Sequence, residues 1–217
     1  MNIFSSVFTD ILAKFISLTG DWFIAVILVT LVIRICLLPL SVKQQKDQYT
    51  TSNLKHVKSV LTTKFKNQTE KINQEVIKID SKYKINTLLS MVLLFVQAPI
   101  LFSLYTSIIN LSTSTGSLLV PWILSVHAPD TFHILPVLAG VFQALSGFTA
   151  ETKSLLMFIV PVVIGLAFLW KAPAVLSVYW IANSALRFLE YKIFSLKTVR
   201  NRLFKIPTAE EMLKSVS

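Results

Sequence analysis

The chain has 217 residues, 53% of them hydrophobic and only 15% charged, with 21 Lys and Arg against 11 Asp and Glu and a formal net charge of +10. Such an apolar excess excludes an ordinary soluble domain and indicates an integral membrane protein. A single cysteine, Cys36, excludes an intramolecular disulfide.

Residues 1–20 come first. Ile3, Phe4, Val7, Phe8, Ile11, Leu12, Phe15 and Ile16 recur at three- and four-residue steps, giving one apolar helical face that ends near Gly20. Thr9, Asp10 and Lys14 interrupt the apolar run that a signal peptide needs. An amphipathic helix lying on the outer membrane surface fits this pattern.

Stretches long enough to span a bilayer, at about 20 residues each, follow at Trp22 to Leu40, Thr87 to Leu111, Phe132 to Phe148, Ser154 to Trp170 and Ala174 to Phe194. The expected fold class is therefore an all-α polytopic membrane protein with five transmembrane helices. In chain order the expected segments are 1–20 (interfacial helix), 21–40, 41–86 (cytosolic loop), 87–111, 112–131 (outer loop), 132–148, 154–170, 174–194 and 195–217 (basic tail).

The first span holds Arg34. It lies seven residues before the boundary near Ser41, or about 10 Å along a helix axis. A cation there costs roughly 2.5–3.5 kcal/mol on insertion scales, and snorkelling relieves part of that cost. No Asp or Glu occurs in the second, third or fourth span, and Glu190 in the fifth has Arg187 at i−3 as a local partner. Arg34 is thus expected to lack a dedicated counter-ion.

The loop at 41–86 carries ten lysines. Leu54, Val57, Leu61 and Phe65 form one narrow stripe, and Ile72, Val76, Ile79 and Tyr83 form another. Asn67 with Glu70 is a helix-capping pair between them. The spacing predicts a cytosolic antiparallel helical hairpin, basic enough to touch anionic lipid head groups or ribosomal RNA by charge alone. No aromatic platform for base stacking interrupts the lysines.

The later spans contribute neutral polar groups: Gln97 and Tyr105 in the second, Gln143 and Ser146 in the third, and Ser177, Trp180, Asn183 and Ser184 in the fifth, with Thr30 one turn from Arg34 in the first. Each taken alone reads as an interhelical hydrogen-bond partner. Together they suggest a hydrophilic groove open to the cytosol that hydrates the arginine. Without embedded carboxylates, an ion-coupled transporter is disfavoured. Seven basic residues close the chain from Arg187 to Lys214, while the 112–131 loop has none. The positive-inside rule then sets the amino terminus outside, and the long loop and carboxyl terminus in the cytosol of a cell whose plasma or inner membrane holds the protein.

Six ordered stretches carry a resemblance: VTLVIRICLLPLSVKQQ, EKINQEVIKIDSKY, LLFVQAPILFSLY, PDTFHILPVLAGVFQAL, FIVPVVIG and VLSVYWIANSALRFLEY. From about residue 20 to 194 the chain resembles the YidC/Oxa1/Alb3 family of membrane-protein insertases. The resemblance implies a five-helix core with Arg34 in a hydrophilic groove closed to the outside, Thr30 and Trp180 facing the passing client, and Gln97 lining the groove. Tyr105, Gln143, Ser177 and Asn183 complete the candidate site. Nascent membrane-protein clients are the implied substrate. The ribosome, a Sec-type translocon and anionic lipids are candidate partners. No bond is made or broken, so no enzyme, cofactor, metal or DNA partner is expected. The alternatives are a membrane-anchored scaffold that binds ribosome or lipid, and a small-solute transporter. The chain departs from the family pattern at Lys171 to Ala174, Lys-Ala-Pro-Ala, where Pro-Ser-Gly is commoner.

Overall fold

The computed structural model describes residues 3–65, 68–83, 89–111, 115–147, 155–204 and 206–214. Asn67, the span ends at Thr87, Phe148 and Ser154, and the side chain of Gln97 lie outside the described residues. The described chain is helical: α1 (Ile3–Thr19), α2 (Trp22–Lys64), α3 (Thr69–Tyr83), α4 (Leu89–Ile109), α5 (Ile134–Gly147), α6 (Leu155–Leu169), α7 (Ala174–Ser195), α8 (Lys197–Leu203) and α9 (Ala209–Lys214). Two compact units divide it. The first comprises residues 1–38 and 95–191, the second 39–94 and 192–217.

In the first unit, α1 buries Leu12 and Ile16 in the same apolar core as Trp22, leaving Asp10 and Lys14 exposed on its other side. It ends because Gly20 adopts φ +67°, a left-handed conformation that costs glycine least, and its N–H closes on the Ile16 carbonyl at 2.8 Å. Asp21 then caps α2. Its Oδ1 accepts from the Phe23 and Ile24 N–H groups at 2.8 and 3.3 Å, and its Oδ2 accepts from the Leu118 N–H at 2.8 Å and Ser117 Oγ at 3.0 Å. One carboxylate thus starts a helix and fastens a loop that lies far along the chain.

Trp22, Ala25, Val26 and Val29 face the core from α2, yet Ile24, Ile27, Leu31, Val32, Ile35 and Leu38 point outward and are exposed. The same holds for Val137, Leu138, Val141 and Leu145 of α5 and for Val160, Val163 and Ile164 of α6. Helices apolar on every side are solvated by hydrocarbon rather than water. Among the described residues one helix, α2, contains an apolar run long enough by itself to cross a membrane, and Ala98–Ile109 and Ile134–Ser146 are shorter apolar helices. Where α5 meets α6, Gly140 allows a close approach: a Cβ there would sit 3.2 Å from Leu166 Cγ.

The α5 start is built like that of α2. Asp130 is buried and accepts from Phe132 N–H at 3.1 Å, Leu135 N–H at 2.7 Å and the Trp122 indole N–H at 3.0 Å. His133, at φ +56°, stacks on Trp170 with ring centroids 4.0 Å apart.

Helix α2 does not stop near Ser41. It continues to Lys64 with Pro39 inside it, and the division between the units falls at that proline, where the missing N–H removes one rung of the helix. In the second unit Leu54, Val57, Leu61 and Phe65 of the α2 end join Ile72, Val76, Ile79 and Tyr83 in a single cluster, as their spacing predicts. The cluster has a further member from the carboxyl-terminal segment: Met212, fully buried, with Ala209 and Leu213 beside it.

Helix α9 is seated by a capping box. Thr208 N–H donates to Glu211 Oε2 at 2.9 Å and Glu211 N–H donates to Thr208 Oγ1 at 3.2 Å. Phe204, also fully buried, packs against Phe194 and Tyr49, and Asn53 Nδ2 donates to the Pro207 carbonyl at 2.9 Å. Met212→Ala should therefore cost about 2–5 kcal/mol, as buried Met-to-Ala changes do. Hydrogen exchange of the detergent-solubilised chain should show faster exchange across residues 54–83, and unchanged exchange there would mean that α9 contributes nothing to the cluster.

Candidate functional site

Two groups of polar side chains in the first unit are organised by α7. The first surrounds Arg34, which is 5% exposed. Its Nε donates to Asn183 Oδ1 at 2.8 Å and its Nη2 to the Asn183 main-chain carbonyl at 3.0 Å. Nη1 faces Glu190 Oε2 at 3.6 Å, the two side chains being 6% and 16% exposed. Arg34 is therefore paired, contrary to the expectation that it lacks a counter-ion. The reason is helical spacing. Asn183, Arg187 and Glu190 are separated by four and three residues, so they line one face of α7, and the Arg34 guanidinium reaches across to that face. Arg187, on the same face, is a like charge to Arg34 and an opposite charge to Glu190.

The second group joins α5 to α7. Gln143 Oε1 accepts from the Trp180 indole N–H at 3.2 Å and from Ser184 Oγ at 3.1 Å. Trp180 is tilted against the neighbouring Phe168 ring, with centroids 6.5 Å apart and planes at 42°. Since Asn183 and Ser184 are consecutive, one turn of α7 presents a hydrogen-bond partner to each group.

The remaining candidates stand differently. Thr30 is buried, and its hydroxyl donates to the Val26 carbonyl of its own helix at 2.7 Å. Ser177 is fully buried, its Oγ without a hydrogen-bond partner. Tyr105 is exposed on a separate apolar cleft of about 570 Å³, lined also by Leu101, Phe102, Phe168, Lys171 and Leu176. Gln97 belongs to α4, but its side chain lies outside the described residues. Reasoning from sequence missed Glu190 as a partner of Arg34, although the 183–187–190 spacing carried the signal.

The second unit has a cleft of about 520 Å³ of mixed lining, with Lys43, Lys46, Asp47, Thr50, Tyr83, Ile206 and Pro207 around it. Burial pushes the Asp47 carboxyl above the usual range, against the opposing pull of Lys43 and Lys46. Among the described residues no group of three His, Cys, Asp or Glu side chains is placed to hold a metal ion.

An all-helical membrane protein whose apolar shell encloses an ion-paired arginine and a small hydrogen-bonded polar interior is the class these features define. Residues 14–201 match the 60Kd inner membrane protein family, and the chain belongs to that family. It is 29% identical over 188 residues to the membrane protein insertase YidC of Lawsonia intracellularis, covering 81% of this chain and 35% of that protein. It is also 27% identical to the YidC insertases of Buchnera aphidicola (82% of this chain, 34% of that protein) and Endomicrobium trichonymphae (83% and 37%). The chain thus spans about a third of the length of the curated relatives it matches.

Proposed function

We propose that this chain is a membrane-protein insertase that receives hydrophobic client segments at the polar interior centred on Arg34, without catalysis, cofactor or ion coupling. The observation that carries the reading is Arg34 itself: a buried cation held by Asn183 and Glu190 in a stretch of α2 whose outward side chains Ile24, Ile27, Leu31, Val32, Ile35 and Leu38 are apolar, in a member of a family whose named relatives are insertases. A client must move a short hydrophilic stretch through hydrocarbon. Polar partners part-way across, Asn183, Gln143, Trp180 and Ser184, shorten the unsolvated path, because each unsatisfied polar group in an apolar medium costs several kcal/mol. A cation at that depth also attracts acidic residues strongly, since the effective dielectric is low.

The same reading places five helices across the membrane, with the amino terminus outside and the lysine-rich hairpin and tail in the cytosol. Residues 1–20 lie at the outer surface. Thr30, Gln97, Tyr105 and Ser177 belong to the client path. The hairpin meets anionic lipid, the ribosome or both, and a Sec-type channel is a working partner. Its support is the charge distribution along the chain.

The test is a depletion experiment. When a bacterial host is depleted of its own insertase and supplied with this chain, a short single-span client should again become protease-protected in the membrane. Failure to restore insertion, with the chain present at normal abundance in the membrane, overturns the reading.

A further inference from the structure

Resting on the insertase reading, we propose that Glu190 is an internal competitor for a carboxylate of the client, and that Arg187 receives Glu190 when the client displaces it, so that the site accepts one client carboxylate at a time.

The geometry separates two tasks at Arg34. Asn183 takes two of the guanidinium donors at hydrogen-bond length, 2.8 and 3.0 Å, and these fix where the guanidinium lies. Glu190, at 3.6 Å, is beyond that length and supplies opposite charge. Its carboxylate can leave without releasing the arginine, and another carboxylate can enter on the same Nη1. Both members of the pair are nearly out of water, so a departing Glu190 needs a second cation nearby. A buried carboxylate left alone costs several kcal/mol. Arg187 is that cation: it precedes Glu190 by three residues on the same face of α7.

Two arginines and one glutamate leave a formal charge of +1, which a single carboxylate neutralises. The class of preferred ligand follows: a hydrophobic segment with one Asp or Glu in the stretch that crosses the membrane. A client bearing Asn there instead has no charge to exchange.

The experiment reconstitutes the full chain in liposomes and compares two single-span clients that differ only by Asp or Asn in the translocated stretch. The readout is the ratio of their protease-protected fractions. In the native chain the Asp client should be favoured. Glu190→Gln removes the competitor and should raise the ratio by about tenfold, in the range of close buried charge pairs. Arg187→Gln leaves Glu190 tied to Arg34 and should bring the ratio close to one. The double variant should return it to the level of Glu190→Gln, because Arg187 acts through Glu190. Equal ratios in the native chain and in all three variants overturn the proposal while leaving the insertase reading intact. A double variant with the low ratio of Arg187→Gln overturns it too, making Arg187 a direct client contact. Protection of neither client by the native chain overturns the insertase reading itself. Since the ratio is taken within each variant, loss of folded protein cancels from it.

Discussion

Arg34→Ala is expected to abolish insertion of a short client and also to destabilise the first unit by about 3–5 kcal/mol, the cost of removing one partner from a buried ion pair. The two effects have different origins and can be separated. The stability loss arises because Glu190 is left at 16% exposure without the cation it faces and because Asn183 Oδ1 loses its 2.8 Å donor. The functional loss arises because the guanidinium that Asn183 holds in place is gone and cannot draw a client's acidic residue inward. Combining Arg34→Ala with Glu190→Gln removes the charge that Arg34 faced, so thermal stability in detergent should return in part. Insertion should not. Recovery of both would show that the charge is dispensable. Arg34→Lys should lie between native and Ala, because one ammonium cannot reproduce the fork that spans the Asn183 side-chain and main-chain oxygens.

Periodicity carried much of the fold. The stripes at Leu54, Val57, Leu61 and Phe65 and at Ile72, Val76, Ile79 and Tyr83 meet in one cluster, since a narrow apolar seam on a lysine-rich helix has few ways to leave water. The end of α1 at Gly20 was legible for a similar reason, because glycine suits the left-handed residue that closes a helix. The seating of Met212 was not. Six residues of α9 make no pattern strong enough to compete with the basic charge around them, and burial there is decided by a groove built from α2 and α3.

The interior site was legible in its parts more than in its pairing. Arg34, Asn183, Gln143 and Trp180 stood out as polar groups in apolar runs. Which of them meet is set by the rotation of α2 and α5 about their axes relative to α7, and a single sequence does not state that rotation. Glu190 illustrates the point. Its neighbour at i−3 offered a local explanation, and that local explanation hid the partner from another helix. Asp21 and Asp130 were hidden likewise, since a carboxylate that caps a helix and holds a distant loop looks in sequence like any acidic residue at a span boundary.

Asp130 is where stability and function part most cleanly. Both of its carboxylate oxygens are used, Oδ1 by the Trp122 indole and Phe132 N–H groups and Oδ2 by the Leu135 N–H, and the side chain is buried. Asp130→Ala strands donors at the start of α5 and on the indole, each unsatisfied buried donor costing about 1–3 kcal/mol. The expected loss is about 3–5 kcal/mol, partly relieved where water reaches the loop. Asp130→Asn keeps one accepting oxygen and should lose about half as much. Trp122 fluorescence during thermal unfolding in detergent reads both, because the indole loses its 3.0 Å acceptor and its edge contact with Phe132. Insertion per folded molecule should be preserved in each variant. Asp130 lies before the first turn of α5, while Gln143 lies nine residues beyond Ile134, the first of the helix, about 13 Å along the axis, and the pairing of Arg34 with Asn183 and Glu190 involves neither residue. A fall in insertion larger than the fall in folded protein would mean that the start of α5 contacts the client directly.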